Sequence, residues 1–260
     1  MSRVMRRESL PRNVLGIFDT TILHLRKPSI IAWWSVAFPG LGHILLGHFF
    51  RGTGLIVWEI CINSYSNLNA AMVYSFIGDI PSAKGILNTR LLLIYIPIYL
   101  FGIWDSYRGA VDLNKEYKLS ESANSPIKKY AMNAAGVNYL DKRNPILALI
   151  WAIFIPSLGQ FYQQRILASF FTLFWAVIFV FYSHFAEAII YLIQGDIQKS
   201  TQVLNIQWVL FIPSFYFFTL YQSYTDSIEL NKLFAKEQAR FLEKNFQPSN
   251  FHIHKGGLVE

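Results

Sequence analysis

Residues 30–42 read IIAWWSVAFPGLG, and residues 147–159 read LALIWAIFIPSLG. Each is an apolar run of about eleven residues, too short for a full span and suited to a re-entrant or interfacial segment. Each is then cut by a helix breaker: Pro39-Gly40-Leu41-Gly42 in the first, Pro156-Ser157-Leu158-Gly159 in the second. Proline removes a backbone donor and glycine permits positive φ, so the chain can turn sharply there. Non-helical backbone at membrane depth persists only where protein or water covers it.

The correspondence extends well beyond the breakers at one constant spacing. Leu23, Arg26 and Pro28 return as Leu140, Arg143 and Pro145, and Trp34 returns as Trp151. Gly78-Asp79-Ile80 returns as Gly195-Asp196-Ile197, Ser106-Tyr107 as Ser223-Tyr224, and Leu113-Asn114-Lys115 as Leu230-Asn231-Lys232. The match slips by one residue at Pro97 and Pro213, which predicts a small compensated insertion in the second half. An internal repeat on this scale divides the chain into two halves of one architecture.

Composition sets the environment. Of 260 residues, 53% are hydrophobic and 15% charged, against roughly 25% charged in a soluble domain. Blocks such as 166–193 are apolar all round, as a surface helix is not. The net charge of +7 sits at the ends and middle of the chain, which reads as membrane topology and not as a nucleic-acid groove. The single Cys61 excludes an internal disulfide. Arg3, Arg6 and Arg7 imitate the start of a signal peptide, but the apolar run begins only near Ser29 and no small-residue cleavage site follows it.

Each half has three apolar blocks: 29–50, 52–77 and 86–107, then 146–164, 166–193 and 203–224. The second and third of each exceed the ~20 residues that cross a hydrocarbon core. If the first block dips in and returns, the termini, the linker and the turns at Arg51 and Arg165 share one side. All but Lys84, Arg90 and Lys199 of the 23 Lys and Arg residues then lie on that side. Three spans per half would move the linker cations across, against the positive-inside rule.

The expected fold is therefore an all-α polytopic membrane helical bundle of two parallel tandem repeats. Each repeat has a Pro/Gly-broken re-entrant helical hairpin plus two transmembrane helices. The expected organisation is a cytoplasmic amphipathic segment 1–27, membrane repeat 28–109, cytoplasmic linker 110–144, membrane repeat 145–226 and cytoplasmic tail 227–260. The linker should be partly helical at best, and the tail helical with Leu230, Leu233, Phe234, Phe241 and Leu242 near one face. Pro97 and Pro213 should kink their spans. Trp33, Trp34, Trp104 and Trp208 read as interfacial anchors.

The run Pro156-Ser157-Leu158-Gly159-Gln160-Phe161-Tyr162 resembles the P-G-L-G-Q-F-Y signature of small bacterial membrane domains. Ile103-Trp104-Asp105-Ser106-Tyr107-Arg108 resembles the N-x-x-D-A-Y-R ending of the N-terminal accessory membrane region in some Gram-positive maltose-type sugar ABC-transporter permeases. The resemblance covers roughly 28–108 and 145–224. Ser157 departs from it by replacing a glycine, His43-Ile44-Leu45 replaces Gln-Phe-Tyr, and Gln222 stands where the first half has Asp105. No permease coupling motif accompanies it. The resemblance is to the accessory region and implies a bacterial cytoplasmic membrane location, but not transport; the expectation that both termini are cytoplasmic comes from the charge bias.

Polar residues inside spans are the remaining candidates for chemistry. Glu59, Asn63 and Asn67 recur every four residues on one helix face, and Ser183, His184 and Glu187 form a shorter stripe in the matching span. Together they form a candidate intramembrane polar cluster, either a path for a proton or cation or a set of interhelical hydrogen bonds. Glu59 lies within two turns of Arg51 and can pair with it. No metal site is expected, since His43 and His48 return as Gln160 and Arg165, and His252 and His254 have no third ligand nearby. No nucleophile elbow, zinc helix or phosphate loop occurs, so catalytic residues and cofactors are expected to be absent. The expected role is a non-catalytic accessory or scaffold subunit of a bacterial envelope or transport complex. Its partners would be the lipid bilayer and other membrane-protein subunits, not nucleic acid. The rival is a small transporter or channel using the polar stripes.

Overall fold

The computed structural model describes residues 13–15, 20–22, 24–122, 130–133, 136–139 and 141–246. The basic residues before position 13 and the His252 and His254 pair lie outside these. Two short strands, β1 (Asn13–Leu15) and β2 (Thr20–Ile22), pair antiparallel ahead of the first helix. Strands β3 (Tyr130–Asn133) and β4 (Gly136–Tyr139) do the same ahead of the second half. Val14, Thr20, Thr21, Ile22 and Val137 are of residue types that favour strands. The other regular elements among the described residues are helices.

The first half runs α1 (Pro28–Ala37), α2 (Leu41–Leu45), α3 (Phe49–Ser66), α4 (Leu68–Phe76), α5 (Ile80–Ile86) and α6 (Thr89–Ser122). The second runs α7 (Pro145–Phe154), α8 (Leu158–Tyr162), α9 (Ile166–Ser183), α10 (Phe185–Ile193), α11 (Ile197–Val203), α12 (Ile206–Val209) and α13 (Phe211–Phe246). From α1 through α5, every helix begins at the position whose number recurs in α7 through α11 at the spacing read from the breakers.

The punctuation residues explain the boundaries. Pro28 and Pro145 open α1 and α7, where a missing N–H costs nothing. Phe38 and Ile155 are extended because each precedes a proline, which disfavours the helical region. Gly40 has φ +98°, whereas Ser157 has φ −114°. The serine is tolerated because the second turn does not need the left-handed region.

The long blocks 52–77 and 166–193 are not single helices. Each breaks at a left-handed residue, Asn67 (φ 55°) and His184 (φ 56°). Asparagine and histidine are among the few non-glycine residues that occupy that region readily. Gly78 and Gly195 then take positive φ, and Asp79 and Asp196 cap α5 and α11 by accepting from Ser82 N and Lys199 N. The Ser82 hydroxyl and N–H hold the Asp79 carboxyl, and the Lys199 N–H and ammonium hold the Asp196 carboxyl, below the usual carboxylate range. The repeated Gly-Asp-Ile triplet is thus a helix stop followed by a helix start.

Helix α6 serves as a ruler. The backbone of Arg26 is latched by Asn114, which accepts from its N–H at 2.8 Å and donates to its carbonyl at 2.7 Å. Tyr99 donates to Val36 O at 2.7 Å, at the deep end of α1. The chain then returns, with His43 at Asp105 and Leu46 and His48 beside Gly109. With 1.5 Å per residue, the hairpin descends roughly 22 Å along α6 and climbs back about 15 Å. From there α3 descends antiparallel to α6, past Tyr95 at Glu59 and Asn88 at Ser66.

The second half repeats the path along α13: Asn231 latches Arg143, Tyr216 donates to Ile153 O, and Gln222 meets Gln160. Asn205 N–H donates to Ser183 O as Asn88 N–H does to Ser66 O. The residue count from Asn88 to Tyr99 therefore equals that from Asn205 to Tyr216. No insertion separates them; only the proline has moved. At its new position Pro213 crowds the Val209 carbonyl, and the helix breaks between α12 and α13. Pro97 stays inside the continuous α6.

The α6 helix runs on through Ser122, and α13 through Phe246. The first part of the region read as linker, and the described part of the tail, are therefore continuations of the last helix of each half.

Side-chain distribution is inverted relative to a soluble bundle. Phe50, Phe76, Ile193 and Phe181 lie largely exposed, while Ser35, Ser106, Ser169, Ser183, Thr219, Ser223 and Ser227 are fully buried between helices. Small polar residues at helix contacts and large apolar ones outside are what a lipid environment selects. The protein is a membrane-associated, all-α helical bundle. Among the described residues, α9 is long and apolar enough to cross a membrane alone. The pairs α5 with α6 and α11 with α12–α13 meet that test together, bent by 86° and 85°.

The core lies between the halves and is aromatic. Trp34 packs against Phe218 and Tyr221, and Phe38 against Phe179 and Phe211. Trp34 is thus a core residue and not an interfacial anchor. Trp33 and Trp104 are exposed as anchors should be, whereas Trp208 stacks on Tyr182.

Candidate functional site

The six polar stripe residues do not converge on one place. Glu59 and Asn63 are buried on α3, and Asn63 donates to Glu59 Oε1 at 3.0 Å. Tyr95 on α6 donates to the same oxygen at 3.3 Å. Asn67 leaves the stripe, since it is the left-handed residue between α3 and α4 and is exposed, donating to Ile86 O. Ser183 is buried and caps its own turn through Val180 O and Phe185 N. His184 and Glu187 face outward and pair with each other at 3.4 Å. The second stripe is therefore a helix break and an exposed His–Glu contact. Arg51 reaches Asp105, not Glu59.

Asn63, which holds Glu59, also joins the other half. Asn63 Oδ1 accepts from Gln207 Nε2 at 2.6 Å and from Asn69 N at 3.0 Å. Asn69 Nδ2 donates to Gln207 O at 2.9 Å, and Ala70 N donates to Gln207 Oε1 at 3.0 Å. Gln207, on α12, thus carries four hydrogen bonds into α3 and α4 when its bond to Asn63 O is included. Sequence reading missed Gln207, Asn69 and Tyr95. None lies on the Glu59 helix face, and periodicity along one helix is blind to partners from another.

A second buried polar layer lies nearer the latched ends. In the first half, His43 Nε2 and Asp105 Oδ2 are 3.1 Å apart, with Arg51 3.4 Å from the same oxygen. In the second half, the equivalent positions are Gln160 and Gln222, joined at 2.9 Å, with Thr172 donating to Gln160 at 2.7 Å. One turn away Gln163 bonds Ser227 and the carbonyl of Ser223, and Arg165 forms a buried ion pair with Asp226. The Arg26 guanidinium is buried close to Arg165, and desolvation plus that neighbouring charge pull it down to about 10.

The breaker residues are explained by this layer. A Cβ on Gly42 would lie 2.5 Å from Ile31 O and 3.2 Å from Ser106 Cβ. A Cβ on Gly159 would lie 2.6 Å from Ala148 O and 2.8 Å from Ser223 Cβ. The repeated glycine and the repeated Ser106 and Ser223 therefore form one feature, a point where three helices approach too closely for any side chain. Leu41 is fully buried beside it.

Among the described residues no group of three or more His, Cys, Asp or Glu side chains has metal-binding geometry. Two grooves on the second half, of about 510 and 560 Å³, lie between α7, α9 and α10, the second also against α13, and are lined mainly by apolar side chains. Comparison with protein-family models, curated proteins and solved structures finds no match to this chain.

Proposed function

We propose that the chain is a non-catalytic, multi-pass protein of the bacterial cytoplasmic membrane, acting as an accessory or scaffold subunit of an envelope or transport complex. In this reading it is a tandem duplication, each copy a re-entrant hairpin plus two spans, with both termini cytoplasmic. The ruler geometry supports the hairpin, because its entry and exit lie toward the same end of α6 and of α13. The distribution of Lys and Arg supports the orientation. The likeness of 156–162 to a signature of bacterial membrane domains supports the location.

One observation carries the scaffold role. The buried polar set around Asn63 and Gln207 is engaged between the two halves and ties them together. Interhelical hydrogen bonds of this sort contribute roughly 0.6 kcal/mol each in a membrane, so they hold a bundle together without driving chemistry. A transporter or channel is the second reading. It is favoured by Glu59 Oε2, which is buried with no hydrogen-bond partner among the described residues.

The Glu59→Gln variant separates the two. It keeps the Oε1 acceptor for Asn63 and Tyr95, so membrane abundance and co-purifying subunits are expected to stay within twofold of the unaltered protein. Complementation of a deletion strain should also persist. Normal abundance and normal partners with lost complementation would sink the scaffold reading and favour transport.

A further inference from the structure

The contact between the halves is one-sided. The first half contributes Trp34, Phe38, Asn63 and Asn69; the second contributes Phe179, Gln207, Phe211 and Phe218. Two halves meeting through a two-fold axis would make each contact twice. The counterpart of Trp34–Phe218 would be Trp151–Phe101, and that of Phe38–Phe211 would be Ile155–Ile94. None of these four forms such a contact, and they lie 43%, 57%, 44% and 54% exposed. The halves are joined head to tail, which leaves the tail-type face of the first half and the head-type face of the second both uncovered.

We propose that these two faces bind each other between copies of the chain, continuing the internal contact as a head-to-tail self-association. The inference goes beyond the scaffold reading, and rests on its duplicated architecture. Three observations carry it. First, the 510 Å³ groove on the second half is lined by Pro156, Ala176, Val180 and Glu187. These are the positions of Pro39, Glu59, Asn63 and Ala70, the region that α12 covers in the first half. Second, the exposed residues on both uncovered faces are large and apolar, as the buried ones are. Third, the charges match. Gln207, the central polar residue of the internal contact, is Arg90 in the first half, and Ala70, which it meets at 3.0 Å, is Glu187 in the second. What Gln207 meets there is the backbone N–H of Ala70, so the same geometry between two chains brings the exposed Arg90 to the backbone of Glu187, within reach of that residue's exposed carboxylate beside His184. Val180 and Ala186 stand where Asn63 and Asn69 make hydrogen bonds, so the intermolecular contact replaces an amide network with apolar packing and one ion pair.

The test uses full-length chain in native membranes. In a Cys61→Ser background, one tagged chain carries Arg90→Cys and a second, differently tagged, carries Glu187→Cys. A short bifunctional maleimide is expected to link the two tags when both are co-expressed, and neither variant to itself. Light scattering in mild detergent should show Glu187→Arg and Arg90→Glu each lowering the associated fraction by about tenfold, since like charges then oppose. The double variant should restore it. A chain that enters membranes and remains monomeric overturns the self-association alone. So does an oligomer unaffected by either charge reversal, or a double variant as dissociated as the singles. Recovery in the soluble fraction would instead overturn the membrane reading.

Discussion

Replacing Asp226 with alanine is expected to destabilise the bundle by about 3–5 kcal/mol, the cost of breaking a buried ion pair from one side. The carboxylate is buried on α13 and receives the Arg165 guanidinium at the start of α9. Gln163 and Ser227 pack on the same layer. Removing the acid leaves the buried Arg165 cation without its carboxylate, with the Arg26 guanidinium close by. Replacing both partners together, as Arg165→Met with Asp226→Leu, should recover most of the loss, because a well-packed apolar pair is often as stable as the ions it replaces. The first half has His48 and Gly109 at these positions, so no equivalent pair compensates. The measurement is the temperature at which the detergent-solubilised protein loses monodispersity. Asp226→Ala should lose it many degrees earlier and the double variant only slightly, whereas a single variant matching the unaltered protein would contradict this account of the layer.

The second large effect is expected at Gly159. A valine there drives its side chain into Ala148 O and Ser223, from two different helices. Overpacking a closed contact costs typically ~1–3 kcal/mol, and backbone atoms on one side leave little room for relaxation. Gly159→Val should therefore separate α8 from α7 and α13 and sharply lower membrane abundance. Gly54→Ala is the control, since it also changes a helical glycine but meets nothing within 4 Å. Its expected effect is neutral or slightly stabilising, as alanine favours a helix over glycine. Equal losses from the two would mean that helix propensity, and not the three-helix contact, explains the repeated glycine.

Much of this was readable because the chain aligns with itself. The breaker marked a reversal, and Asn114, Asn231, Arg26 and Arg143 were legible as repeated positions, though only the structure joins them as latches. The most instructive case was half-read. Gln160 in place of His43, and Gln222 in place of Asp105, appear in the sequence as two unrelated departures. In the structure they are one substitution of a His–Asp pair by a Gln–Gln pair at the same contact. Paired changes between copies report spatial contact, and this one was visible without coordinates.

Other features were hidden for physical reasons. Asn67 and His184 sit at helical spacing from polar neighbours, so periodicity placed them on a stripe. Their actual role depends on backbone φ, which spacing along a regular helix does not encode. Gln207 was invisible because its partners belong to the other half. Helices α6 and α13 outrun their apolar blocks because helical propensity and i,i+3 ion pairs such as Asp112–Lys115 and Glu229–Lys232 continue past the last apolar residue. The outward turn of His184 and Glu187 shows that polarity in an apolar block does not by itself mean burial.

The central claim is that each half enters and leaves the membrane on the same side, with a hairpin that dips and returns. Single cysteines in a Cys61→Ser background test it directly, at Lys84 and Lys199 on the far ends and at Lys115 and Lys142 on the latched ends. An impermeant maleimide added to intact cells should label positions 84 and 199, and label 115 and 142 only after permeabilisation. Labelling of 115 or 142 in intact cells would place the region between the halves outside, and the paired-hairpin topology would fall.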